Sequence, residues 1–322
     1  MYFERCHRLA LLPVMLLALI PQCAFGATPR ELLAAGRVDE AIQVLQPQIA
    51  RLPTDAESHN LLGRAYFMLE EWDRAVAACE RAVQLDPGKS LYHLWLGRAY
   101  GEKASRVSFL SAAGMAKKVR VEFERAVELD PKSWEPRIDL AEFYFSAPGI
   151  VGGGKDKARA QADAIAPLNP AMAHWVLAHI AEKDKDSAAA EREFRIAISA
   201  SHSGARAWFD LAYFLFHAGR LDEMEKAMET VESSPTDRPE SLRDAASVLL
   251  RAGRDYPLAI RLLRRYLSAP VEEAPAFKAH DMLGELLEKQ GDRKAAAEEF
   301  RAALALAHTY THAQEDLKRV EQ

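Results

Sequence analysis

Between residues 147 and 158 the chain reads "APGIVGGGKDKA". Gly149, Gly154 and Lys155 stand at the spacing G-x-x-x-x-G-K. In a phosphate-binding loop that spacing wraps backbone N–H groups around a nucleotide's phosphates and brings a lysine to them. The next residue should be Ser or Thr, whose hydroxyl holds Mg²⁺, and here it is Asp156. Such a loop also needs a strand before its glycines and a helix after them. The preceding "PRIDLAEFYFS" therefore decides the matter.

The remaining candidates for chemistry are few. His308 and His312 are four apart and could share a helix face as a metal pair. "HTYTH" has no central Glu, and the sequence places no third ligand, so two exposed histidines and no metal are expected. No serine sits in G-x-S-x-G, and acidic pairs such as Glu70-Glu71 and Glu298-Glu299 fall on polar faces. Cys6 and Cys23 lie in the N-terminal segment, and Cys79 is left alone, expected buried between helices. An intramolecular disulfide and a Cys-based zinc or haem site are excluded in the chain that follows. No catalytic constellation is found, and neither an enzyme activity nor a cofactor is expected.

The elements that carry these residues are read from the whole chain. Its 322 residues are 49% hydrophobic, with much Ala, Leu, Glu and Arg, which favours helix. A formal net charge of −5 gives no electrostatic pull toward nucleic acid. The N-terminus is a separate object. Arg5 and Arg8 precede an apolar run over residues 9–20, Pro21 ends it, and Ala24-Phe25-Gly26 has the small-x-small pattern of a cleavage site. Residues 1–26 thus read as a secretory signal cut after Gly26. The run is shorter than the roughly twenty residues of a membrane span. Gln22 is too large for lipoprotein processing at Cys23. An exported chain beginning at Ala27 is expected, placed in the periplasm, with no stable membrane insertion after cleavage.

Internal repetition organises the rest. "SHNLLGRAYFMLEEWDRAVAACERAVQLDP" at 58–87 is echoed by "LYHLWLGRAY" at 91–100 and "FERAVELDP" at 123–131, and later by "LGELLEKQGDRKAAAEEFRAAL" at 283–304. Gly63 and Ala75 lie where two facing helices need missing side chains to approach, with Leu62 and Tyr66 filling the space beside them. Pro87 cannot continue a helix and helps to end the second one. Each hairpin leaves an apolar face that only its neighbour can cover, so the units must stack.

On these residues the chain resembles the tetratricopeptide repeat family, whose 34-residue unit is a pair of antiparallel helices. The unit from Ala56 matches at Leu62, Gly63, Tyr66, Ala75, Ala82 and Pro87, and departs at His59 and Cys79. The unit from Phe277 matches at Leu283, Gly284, Leu287, Ala296, Phe300 and Ala303. The resemblance implies an all-α, right-handed solenoid of about eight helix-turn-helix units. A partial unit covers 27–55, and units follow at 56–89, 90–133, 134–170, 171–204, 205–239, 240–276 and 277–310, with a polar capping helix at 311–322. Insertions near 101–118 and 146–156 fall between the two helices of their hairpins. Asp156 reads as the N-cap of the helix that follows the second. "PRIDLAEFYFS" is helical by its place in the repeat, so the phosphate-loop reading fails. His59, His93, His174 and His280 share the fourth place of their units, which points to packing.

In this family the first helices line a concave groove. The resemblance places Arg64, Phe67, Met68, Leu94, Arg98, Phe145, Trp175, His179, Phe209, Tyr213 and Phe216 on it, with Trp175, Phe209 and Phe216 as exposed anchors. Aromatic anchors in a concave patch are the usual make-up of a binding hot spot. Asn60 and Arg64 suggest the family's carboxylate clamp, but Trp95 stands where a second Asn is needed. The expected function is a non-enzymatic scaffold or adaptor of the cell envelope that holds a protein or peptide segment in the groove. An assembly factor for envelope complexes is the alternative, and a nucleotide- or anion-responsive protein using the 149–156 turn is the remote one.

Overall fold

A computed structural model describes residues 26–236, 238–269 and 275–322. The expected signal segment lies outside the described residues save for Gly26. Among the described residues there are seventeen α-helices and no strand.

The helices run as consecutive hairpins. The first is α1 (Pro29–Ala34) with α2 (Val38–Arg51), then α3 (Ala56–Met68) with α4 (Trp72–Leu85). Next come α5 (Ser90–Ala104) with α6 (Phe109–Leu129), and α7 (Glu135–Ser146) with α8 (Lys155–Ile165). The series continues with α9 (Pro170–Lys183) and α10 (Ser187–Ala200), then α11 (Ala205–His217) and α12 (Leu221–Ser233). It ends with α13 (Glu240–Ala252) and α14 (Tyr256–Leu267), α15 (Ala276–Lys289) and α16 (Arg293–Leu306), and a single helix α17 (Thr311–Glu321).

Local chemistry starts these helices where it does. Asp55, Asn169, Asp186, Asp255 and Asp292 each accept a backbone N–H of the first turn, capping α3, α9, α10, α14 and α16. Inside three hairpins a glycine of the first helix receives a side chain of the second. A Cβ added to Gly63, Gly97 or Gly284 would lie 2.4 Å from Cys79 Sγ, Phe123 Cε1 or Phe300 Cε1 respectively. The helices touch because nothing stands between them.

The fourth-place histidines do more than pack. His174 Nδ1 lies 2.7 Å from Glu193 Oε2, and His280 Nδ1 lies 2.7 Å from Glu299 Oε2. His93, which is buried, meets Glu122 at 2.6 Å. In each case the second helix of the hairpin supplies the carboxylate. Arg137 donates to Gln161 Oε1 at 3.2 Å from the matching places of its own unit. His59 has Ala78 opposite it and turns instead to the carbonyl of Pro53, at 3.1 Å.

The insertions become structure of two kinds. The first extends α6 to 21 residues, against 14 in α4 and α10. The second is a turn carrying a short 3₁₀ segment over Gly149–Val151. Gly152 takes φ 101°, and a Cβ on Gly153 would lie 1.8 Å from the carbonyl oxygen of Ala147, so both places demand glycine. Asp156 is not the cap of α8: that place belongs to Gly154, which makes no side-chain bond, and Asp156 sits inside the first turn. There its charge still favours the helix start.

Repeat counting does not contain the closure of the array. Leu33, Val38, Ala41 and Leu45 of the first hairpin share a buried cluster with Phe277, Ala303 and Ala307 of the last. Gly36 packs so closely on α15 that a Cβ there would fall 2.5 Å from Ala276 Cβ. Around this seam His308 Nδ1 lies 2.6 Å from Asp39 Oδ2, and Lys278 is paired with Glu70. The two ends of the solenoid therefore cover one another, and the units form a closed ring. A second cluster of buried side chains runs through the hairpins from Tyr66 to Val320.

Candidate functional site

First helices of neighbouring hairpins touch along the ring: α3 with α5, α7 with α9, α9 with α11, α11 with α13, and α13 with α15. Their side chains build a continuous wall. It holds a cleft of about 720 Å³ that draws on five hairpins, from Phe67 of α3 to Arg206 of α11. Trp95, Phe123, Ile138 and Trp175 give it apolar surface, and Arg98, Asp139, Glu142 and Arg206 give it charge. A smaller cleft of about 320 Å³ adjoins it through Trp95 and Arg98, and is also lined by Arg64 and Leu94.

Trp95 organises this region. Only 3% of it is exposed, and the Arg64 and Arg98 guanidiniums stand 4.8 and 5.0 Å from its ring centroid. Phe67 packs edge-on against it with centroids 5.4 Å apart. Indole is the best of the side-chain rings for a cation–π contact. Arg98 Nε also donates to Asp139 Oδ2 at 2.6 Å, so α5 and α7 are tied across the cleft. Glu142 stands one turn on from Asp139. The surrounding groove wall, and then the charge of Asp139, raise its carboxyl above the usual range.

Further along the wall, His179 is the centre of a second aromatic group. Its ring is 4.3 Å from Trp175, 5.3 Å from Phe145 and 5.5 Å from Phe194. The third group sits on α11, where Phe209, Tyr213 and Phe216 are half-buried. Arg251 of α13 stands 5.9 Å from the Tyr213 ring and 5.6 Å from that of Phe216. Arg206 Nε meets both oxygens of Asp210, at 3.0 and 3.1 Å, between the second and third groups.

The eleven residues expected on the groove are therefore not equivalent. Phe67, Arg98, Phe145, His179, Phe209, Tyr213 and Phe216 are partly open. Arg64, Leu94, Met68 and Trp175 are buried, which corrects the picture of Trp175 as an exposed anchor. Its ring is covered by His179, Phe145 and the Arg206 side chain, whose guanidinium is 5.8 Å away. Met68 lies in the seam cluster with Phe277, because ring closure covers the end where an open solenoid would expose it. Trp95, read in the sequence only as an obstacle to the carboxylate clamp, is the residue around which both clefts form. The repeat of R-A-Y after L-G marked its neighbour Arg98, and the same phrase could have marked Trp95.

The N–H groups of the glycine turn are taken within the protein. The N–H groups of Val151, Gly152, Gly153 and Gly154 all go to carbonyls of the turn or of α7. Lys155 is paired with Asp184, and Lys157 Nζ donates to Gly152 O at 2.9 Å. The segment before the glycines is helix α7. Cys79 is buried, and burial raises its thiol to about 12, which leaves no thiolate for chemistry at neutral pH.

His308 and His312 part company. His308 serves the seam through Asp39, whereas His312 Nδ1 stands 2.7 Å from Asp281 Oδ2, among Glu285 and Asp316 as well. No spacing in the sequence brings these four residues together. Among the described residues no helix is long and apolar enough to cross a membrane.

Comparison with known proteins now bears on this architecture. The model of the family described as "Tetratricopeptide repeat" matches residues 30–90, 176–237 and 243–310, together more than half of the chain. Intraflagellar transport protein 70A of Homo sapiens is 32% identical over 145 residues, covering 43% of this chain and 22% of that protein. Its Bos taurus counterpart is 28% identical over 144 residues, with the same coverage of 43% and 22%. The chain spans about a fifth of the length of the curated relatives it matches. Among solved structures, yeast Tom70 aligns with a TM-score of 0.53 and 16% identity over 88% of this chain and 58% of its own. A tetratricopeptide repeat protein from Parabacteroides merdae aligns over 91% of this chain and 96% of its own, with a TM-score of 0.47 and 14% identity. At 16% identity the likeness to Tom70 speaks for an all-α repeat solenoid and for nothing finer.

Proposed function

The chain belongs to the tetratricopeptide repeat family, and we propose that it is an exported, non-enzymatic scaffold that holds a segment of a partner protein against the inner wall of its ring. The observation that carries this reading is the 720 Å³ cleft. It alternates aromatic surface with fixed charges of both signs, and five hairpins contribute to it. A segment lying there meets Phe67 and Trp175 as apolar floor, Arg98 and Arg206 as partners for acidic groups, and Glu142 as a partner for basic ones. Half-open rings at Phe209, Tyr213 and Phe216 extend the same wall. Repeat solenoids use such inner surfaces to bind extended chains.

Export rests on the N-terminal pattern of residues 1–26, with Arg5, Arg8 and the apolar run ahead of Ala24-Phe25-Gly26. The periplasm is the proposed compartment, and the proposed mature chain begins at Ala27. Mass analysis of the purified N-terminus tests that part. An intact Met1 in washed membranes contradicts it.

For the scaffold itself, a photo-crosslinking amino acid placed at Phe209 on the inner wall is compared with one at Ile196, exposed on α10. The proposal expects the Phe209 probe to trap a defined protein that the Ile196 probe does not. Equal labelling from both positions, or none from Phe209, defeats it.

A further inference from the structure

Two facing helices at the C-terminal end of the ring each carry a pair of metal-ligating side chains one turn apart. Asp281 and Glu285 stand on α15, and His312 and Asp316 stand on α17. One ligand atom from each of the four lies within 4.8 Å of all the others. Four ligand atoms set tetrahedrally around one ion at about 2.1 Å lie about 3.4 Å from one another, so a closure of at most about 1.4 Å would complete the set.

The two aspartates make this more than a cluster of surface acids. Asp281 is 3% exposed and Asp316 is 5% exposed, and each keeps one carboxylate oxygen buried and without a hydrogen-bond partner. On Asp281 the satisfied oxygen is Oδ2, near His312 Nδ1 at 2.7 Å and accepting from the Tyr310 hydroxyl at 3.4 Å, while Oδ1 is the orphan. On Asp316 the satisfied oxygen is Oδ1, which accepts from Arg319, while Oδ2 is the orphan and stands 3.6 Å from His312 Nδ1. A buried carboxylate oxygen left unpaired is costly, and proteins resolve that cost by pairing or by coordinating a cation.

The local charge points the same way. Asp281, Glu285 and Asp316 gather three carboxylates around one imidazole, with Arg319 paired to Asp316 beside them. Three acids compete for the counter-charge of His312 and Arg319. A dication would settle all three at once.

We propose that Asp281, Glu285, His312 and Asp316 bind one divalent first-row transition metal ion, of the Zn²⁺ or Mn²⁺ class, which ties α17 to α15. The imidazole nitrogen suits Zn²⁺ and the carboxylate oxygens suit Mn²⁺, whereas Ca²⁺ and Mg²⁺ prefer oxygen alone. The role is structural: α17 covers the last hairpin, and Tyr310, just ahead of it, packs on Phe277 in the seam. The site thereby stiffens the place where the ring closes, independently of what the inner wall binds.

The test uses the full chain without an affinity tag, stripped with chelator and then titrated separately with Zn²⁺, Mn²⁺ and Mg²⁺. One Zn²⁺ or Mn²⁺ per chain is expected to bind and to raise the unfolding temperature, with Mg²⁺ at least tenfold weaker. Asp281→Asn and His312→Gln are expected to weaken binding at least tenfold, as loss of one ligand should. Glu288→Gln, whose carboxylate pairs with Arg319 one turn away, is expected to bind as the unaltered protein does. His312 is the more exposed ligand, so its variant remains informative if Asp281→Asn does not fold. Absence of a bound ion and of any thermal shift overturns the proposal, as does undiminished binding by His312→Gln.

Discussion

Glu193 of α10 stands 2.7 Å from the imidazole of His174 on α9, and this link between the two helices of one hairpin recurs as His280–Glu299 and His93–Glu122. In the last of these the insertion moves the glutamate ten residues along the chain yet leaves it opposite the same histidine. The recurrence shows that the longer α6 keeps its register on α5 and grows at its start. A polar latch at fixed places is thus part of how these hairpins hold their partners.

His93 makes that latch sensitive to pH. Burial alone, with some help from Arg125, would lower its pKa, but the bond to Glu122, the Pro87 carbonyl and the charge of Glu122 outweigh burial and raise it. The folded chain therefore holds this proton to higher pH than the unfolded chain. The stabilisation is complete below the unfolded value of about 6.5 and is lost as pH rises through the folded one. We predict that His93→Gln lowers the urea midpoint more at about pH 5.5 than at about pH 8.5. An equal loss at both, or the reverse order, contradicts the assignment.

Burial separates Trp175 from the other rings of the wall. Trp175→Ala is expected to cost about 3–5 kcal/mol of stability, as core aromatic truncations do. Phe209→Ala and Phe216→Ala, whose rings are half-open, are expected to cost less than about 2 kcal/mol each. Urea unfolding of the three variants decides. A Trp175→Ala chain as stable as the Phe209→Ala chain would place the indole on the surface after all.

Ring closure predicts a covalent link that an open solenoid would not allow. Lys278 and Glu70 lie in different hairpins at opposite ends of the array and are paired across the seam. A zero-length carbodiimide, which joins an amine to a carboxylate in contact, is expected to couple them. The pair of Lys155 with Asp184, between neighbouring hairpins, serves as the positive control. Coupling at the control without coupling at the seam would mean that the ring is open in solution.

What the sequence made legible follows from what repeats. Small residues at Gly63 and Gly284 and apolar residues such as Leu62 and Leu283 recur with the hairpin, so fold class could be read from them. The closure does not recur: Gly36 meets Ala276 once, between elements far apart in the chain, and no period announces it. The same holds for His312, whose partners Asp281 and Glu285 stand on another helix at no repeating place. Place within the unit told which way Trp175 faces. It did not tell how deeply Phe145, His179 and Arg206 would cover it.

The inner wall is the central claim, and affinity measured with the protein trapped at Phe209 tests it most directly. Each half-open ring that anchors a partner is expected to contribute about 2 kcal/mol, so Phe209→Ala and Phe216→Ala should each weaken binding roughly thirtyfold. Ile196→Ser, on the exposed face of α10, should leave the affinity unchanged. Unchanged binding by both inner-wall variants, or an equal loss with Ile196→Ser, would mean that the partner sits elsewhere on the ring.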